Sequence, residues 1–226
     1  MATFTERWTA AGPIRSALPL EEIEREEAHA AASVGEPASL GLFAFATGTF
    51  TLGSVFSGWF PTSTLLYAVP VMLIFGGFVQ FLAGMWSYRK GDTLTATFFC
   101  AFGGFNATYA LLLLFEHAGL VAGPSAGMGI TGIVFASFAL IAFVLMVAAV
   151  SRNIVLVGVL FCLAVSCGLY GGGEIAKGSA TVMKAGGWAG LVCAVLAYYA
   201  AAAMAINSAH GRLVLPLGEL RGFSPS

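Results

Sequence analysis

The amino-acid sequence predicts an all-α polytopic membrane protein with six transmembrane helices. Only 9% of its 226 residues are charged and 58% are hydrophobic, against about 25% charge in a typical soluble domain. From Pro37 to Tyr88 there is no Asp, Glu, Lys or Arg, and four more charge-free stretches follow before His210. A bilayer core about 30 Å thick takes roughly 20 helical residues, each rising about 1.5 Å. The stretches are long enough for six crossings.

Residues 1–35 form a polar tail in which Arg7, Arg15 and Arg25 lie among Glu6, Glu21, Glu22, Glu24, Glu26 and Glu27. A cleavable signal needs an unbroken apolar core behind a basic end, and Pro13, Arg15 and Pro19 interrupt the only candidate. Residues 20–33 read as a short acidic helix. The transmembrane domain is placed at 36–209, with spans at 39–57, 64–88, 93–115, 126–150, 154–173 and 185–207. Helix-stopping residues separate them: Gly58 to Pro61, Arg89 to Asp92, Glu116 to Pro124, Ser151 to Asn153, and Glu174 to Lys184. Short connections make neighbouring helices antiparallel, and residues 210–226 form a second tail. Eight of the ten basic residues (Arg7, Arg15, Arg25, Arg89, Lys90, Arg152, Arg212 and Arg221) fall on the side of the termini. Only Lys177 and Lys184 fall on the other, so both termini are assigned to the cytoplasm and the chain to the cell membrane.

A net charge of −1 without a basic patch argues against a nucleic-acid partner. Cys100, Cys162, Cys167 and Cys193 lie in apolar spans without a CxxC pair or a neighbouring His, and read as small hydrophobes rather than metal ligands. His29, His117 and His210 are scattered, with no nucleophile and base at a useful spacing. No enzyme, cofactor or metal is expected.

No ionisable side chain is placed in mid-membrane, which argues against a buried carboxylate relay. The remaining polarity is neutral, and Gln80 and Asn106 stand out within it. A hydroxyl satisfies itself on its own helix, whereas a primary amide generally needs a partner. They are either interhelical hydrogen bonds or donors on a pathway wall. Gly168 and Gly172, and Gly186, Gly190 and Ala194, have the small-xxx-small spacing that lets helices approach within or between subunits. Phenylalanines crowd the first three spans and suit a hydrophobic constriction.

Three strings then carry more than composition does: Glu36-Pro-Ala-Ser-Leu-Gly-Leu42, Gly76-Gly-Phe-Val-Gln80 with Tyr88-Arg-Lys-Gly-Asp-Thr93, and Gly211-Arg-Leu-Val-Leu-Pro-Leu-Gly-Glu219. In order, and each at a helix end, they resemble the acetate uptake transporter family of bacterial succinate-acetate permeases and their yeast relatives, whose opening motif reads NPAPLGL. The resemblance spans residues 36–219. It implies a ring-shaped homohexamer with one path per subunit for acetate, similar short monocarboxylates or succinate. It also implies a hydrophobic constriction contributed by the first, third and fifth helices, which carries over to Phe45, Phe102 and Leu163.

The sequence departs from the family pattern at Glu36 (usually Asn), Ser39 (Pro), Ser87 (Glu), Asp92 (Asn), Phe102 (Tyr) and Asn106 (Trp). Glu36 would repel an anion if it faced the entrance, and Phe102 lacks a hydroxyl donor that Asn106 is able to replace. A carboxylic acid with a pKa near 4 is almost wholly ionised at neutral pH, and dehydrating the anion is costly. Donors flanking a short apolar neck would limit that barrier, with any proton travelling on the substrate. The alternatives are a channel for a small neutral solute such as urea or ammonia, suggested by Gln80, Asn106 and the missing tyrosine at Phe102, and a membrane sensor of small acids using the charged tail.

Overall fold

The computed structural model describes residues 35–176 and 179–220, together with Pro19 and Arg25. The acidic helix expected at 20–33 lies outside the described residues except for Arg25. Of the two compact units, Met1–Gly35 and Glu36–Ser226, only the second is described at length. It is an all-α membrane protein whose six long helices are apolar enough to cross a bilayer.

Helix α1, Pro37–Phe56, starts where Glu36 accepts a hydrogen bond from Ala38 N at 3.1 Å, with proline at the first helical position. Both devices occupy amides that a helix leaves unpaired at its start. Helix α2 spans Thr62–Arg89 but is not uniformly wound. A 3₁₀ turn at Thr62–Thr64 leads into α-helix at Leu65–Pro70, then π-helix at Val71–Val79, then α-helix at Gln80–Arg89. Pro70 has no N–H to give the preceding turn and crowds its carbonyl, so the winding widens just beyond it. Helices α3 (Thr93–His117), α4 (Pro124–Ala149) and α5 (Ile154–Ile175) follow, with α3 and α5 capped by the side chains of Asp92 and Asn153. Helix α6, Ala180–His210, ends on left-handed Gly211.

The spans agree with those expected from charge to within a few residues, except that α6 begins five residues before the expected 185. Lys184 marked a boundary in the sequence but lies in the first turns of α6, exposed, where a long stem carries its ammonium to the membrane surface.

Helix α1 packs against α2 and α6, α5 against α4 and α6, and α3 against α2, while α3 and α4 meet only weakly. Between those two lies an apolar groove of about 580 Å³. The tight pairs share one device, a glycine facing the backbone of its neighbour. A Cβ on Gly103 of α3 would lie 2.9 Å from both Gly77 O and Phe81 N of α2, and one on Gly171 of α5 would lie 2.8 Å from Gly132 O of α4. Gly186 and Gly190 serve the α5–α6 contact as their spacing suggests. Gly172 does not make the α4–α5 approach, having nothing within 4 Å of its missing side chain, while a Cβ on Gly168 would meet Ala139 Cβ of α4 only at 3.9 Å. Cys167 and Cys193 are buried, whereas Cys100 and Cys162 are half-buried on helix surfaces.

Candidate functional site

Helices α1, α3 and α5 begin at one end of the bundle, where two ion pairs link their caps to adjacent loops. Lys90 Nζ lies 2.6 Å from Glu36 and Arg152 2.8 Å from Asp92. Each acidic cap therefore has a cation beside it, and Glu36 does not stand at this mouth as an isolated negative charge.

Just inside this end is a cavity with about 30 Å³ open to water, whose walls include Ala38, Leu42, Thr95, Phe98, Leu156 and Leu217. The last of these comes from the carboxyl-terminal segment, which is strapped beneath the bundle. Asn207 Oδ1 accepts from Val214 N and Leu215 N at 2.8 and 2.9 Å, Tyr199 donates to Pro216 O at 2.6 Å, and Ile154 N donates to Gly218 O at 2.8 Å. Asn207, near the end of α6, is thus used to hold this strap.

A second cavity, also with about 30 Å³ open to water, lies further along the same three helices. Phe45, Phe102 and Leu163 all line it, and so does Asn106. These residues, drawn from α1, α3 and α5, are brought together and are at most 5% exposed. Between the cavities the rings interlock: Phe45 meets Phe98 at 4.9 Å between centroids and Phe102 at 6.3 Å, while Phe98 meets Phe102 at 5.6 Å. Phe98 faces the first cavity and Phe102 the second. The result is a short aromatic neck with a small chamber at each end.

The two amides part company. Asn106 Nδ2 donates to Phe102 O at 3.1 Å, which leaves its second proton and its oxygen free for the chamber. Gln80 is fully buried and does not line either chamber. With its amide turned to suit its neighbours, Gln80 donates to Gly76 O at 2.7 Å and accepts from Gly103 N at 3.3 Å. Gln80 therefore ties α2 to α3, the interhelical role rather than the pathway one.

Sequence reasoning did not single out Tyr170 or Leu217 as lining residues. For Tyr170 the signal was present, since Leu163, Ser166, Cys167 and Tyr170 recur at helical spacing on one face of α5. Leu217 had none, because nothing local shows that a tail folds back. Among the described residues, no Asp, Glu, Lys, Arg or His lines either chamber.

A six-helix membrane bundle with an apolar neck between two chambers inside one subunit is the architecture of a small-solute transporter or channel. Residues 23–221 match the GPR1/FUN34/yaaH family, and the chain belongs to that family. It is 32% identical over 186 residues to the succinate-acetate/proton symporter SatP of Escherichia coli (strain K12), covering 82% of this chain and 96% of that protein. It is 31% identical over 195 residues to acetate permease A of Emericella nidulans, covering 81% of this chain and 65% of that one. The fold superposes on the solved structure of the bacterial acetate channel SatP with a TM-score of 0.77 and 31% identity, covering 82% of this chain and all of the other.

Proposed function

We propose that the protein passes acetate and related short carboxylates, succinate among them, across the cell membrane. The path runs through each subunit, past the neck formed by Phe45, Phe102 and Leu163. The observation that carries this reading is their convergence, with Asn106, on one chamber within the three helices. The membership in a family whose relatives are named for acetate supports it. The neutral-solute alternative loses one of its three supports, because the Gln80 amide is committed between helices.

With no charged side chain among the described residues of either chamber, any proton crosses on the substrate, as the acid. The neutral fraction of such an acid falls about tenfold per pH unit above its pKa. Purified protein in liposomes should take up labelled acetate saturably, with initial rates about tenfold lower at external pH 7 than at pH 6. Rates independent of pH would instead mean that the anion crosses, and absence of saturable uptake would overturn the reading.

The Lys and Arg distribution supports a cytoplasmic location for both termini, and the resemblance supports a ring-shaped homohexamer. Residues 1–35 and 210–226 are then cytoplasmic tails preceding and following the transport domain in the sequence. Because Leu217 walls the chamber nearest the tails, Leu217→Ala should raise acetate uptake. A rise of about fivefold, the counterpart of ~1 kcal/mol of barrier, is expected in the same liposome assay.

A further inference from the structure

The outer half of α5 carries polar side chains that the neck itself does not use. Ser166 and Tyr170 lie one helical turn apart on the face that bears Leu163, are 2% and 4% exposed, and both line the second chamber. Ser166 gives its proton across to α6, donating to Gly186 O at 2.9 Å. The Tyr170 hydroxyl borders the same space, and with the Ser166 proton committed to Gly186 O the tyrosine proton is the one of the two left to be given. Gly190 of α6 keeps space open before them: a Cβ there would sit 3.1 Å from Ser166 Oγ and 3.5 Å from the Tyr170 oxygen. Asn106, with one amide proton unspent, is a wall of the same chamber from α3.

A tyrosine hydroxyl on α5 and an amide on α3, with no charged side chain among the described lining residues, suit the two oxygens of a small carboxyl group. We infer that Tyr170 is a substrate-binding residue, its hydroxyl donating to an oxygen of the substrate's carboxyl group at the outer end of the neck while Asn106 donates from α3. This rests on the transport reading above and adds the residue that recognises the carboxylate. A hydrogen bond in a largely apolar chamber is stronger than one in water, so its loss is readable in binding.

Tyr170→Phe removes the oxygen and leaves the ring, which packs on Phe56 and Phe135 at centroid distances of 4.7 and 5.3 Å. In liposomes the variant should raise the half-saturating acetate concentration about tenfold, with the maximal rate within about twofold and the melting temperature in detergent unchanged. A merely structural hydroxyl would shift the melting temperature and leave half-saturation alone, and that result would overturn the assignment. Saturable wild-type uptake with an unaltered half-saturation in Tyr170→Phe defeats this inference while sparing the transport reading. No uptake by the wild type defeats the transport reading itself.

Discussion

Phe45→Ala should raise acetate uptake by about tenfold and admit larger carboxylates that the wild type excludes. Phe45 is 1% exposed and its ring closes on Phe98 and Phe102, the two rings that face opposite chambers. While the rings interlock, a solute has to shed water over the length of the neck, and for a carboxylate that desolvation is the main barrier. Removing one ring joins the chambers and lets water accompany the solute. A barrier lowered by ~1.4 kcal/mol is enough for tenfold. Phe→Ala in a packed core also costs about 3–5 kcal/mol of stability, so flux has to be compared per folded protein, with Phe45→Leu as the milder step. A folded Phe45→Ala variant with reduced uptake would show that the ring guides the solute instead of obstructing it.

The parts of the fold that were legible in the sequence are those governed by charge and by chain-local chemistry. Absence of charge located all six helices, because a bilayer tolerates so few ionised groups. The one large boundary error, at α6, arose because Lys184 can sit within a helix and still reach the surface. The three neck residues came through the family resemblance, since nothing in their own spacing shows that α1, α3 and α5 meet. Gln80 and Asn106 looked alike because both are amides in apolar spans. Only packing separates them, by placing Gly76 and Gly103 around the first and an open chamber beside the second. The run Gly171-Gly172-Gly173 posed a register problem, as one residue turns a helix by about 100°, and spacing alone favoured Gly172 where the contact uses Gly171. The π-helical stretch after Pro70 and the strap carrying Leu217 are tertiary outcomes of the same kind.

Gly187→Ala should be the most damaging single methyl group in the protein. A Cβ at that position would fall on Ser57 N and Phe56 C, backbone atoms at the end of α1, and backbone cannot swing aside as a long side chain can. The alternative is to push α6 away from α1, although the next turns of the same interface hold Gly190, Ala194, Ala197 and Ala201, all buried. Association of helices in lipid depends on such close approach, without a hydrophobic effect to compensate for a gap. An overpacking cost of ~3 kcal/mol is expected, which for a chain of this size lowers the melting temperature by about 6–12 °C. Gly172→Ala makes the opposite forecast with the same change in chemistry. It meets nothing within 4 Å, and alanine in a helix interior is favoured over glycine by roughly 0.5–1 kcal/mol. Melting of the two variants in detergent therefore tests the packing in both directions, one falling and the other holding or rising. Loss of stability at Gly172 would place that face against a second copy of the chain rather than lipid, whereas a Gly187→Ala protein as stable as wild type would refute the α1–α6 contact on which the neck depends.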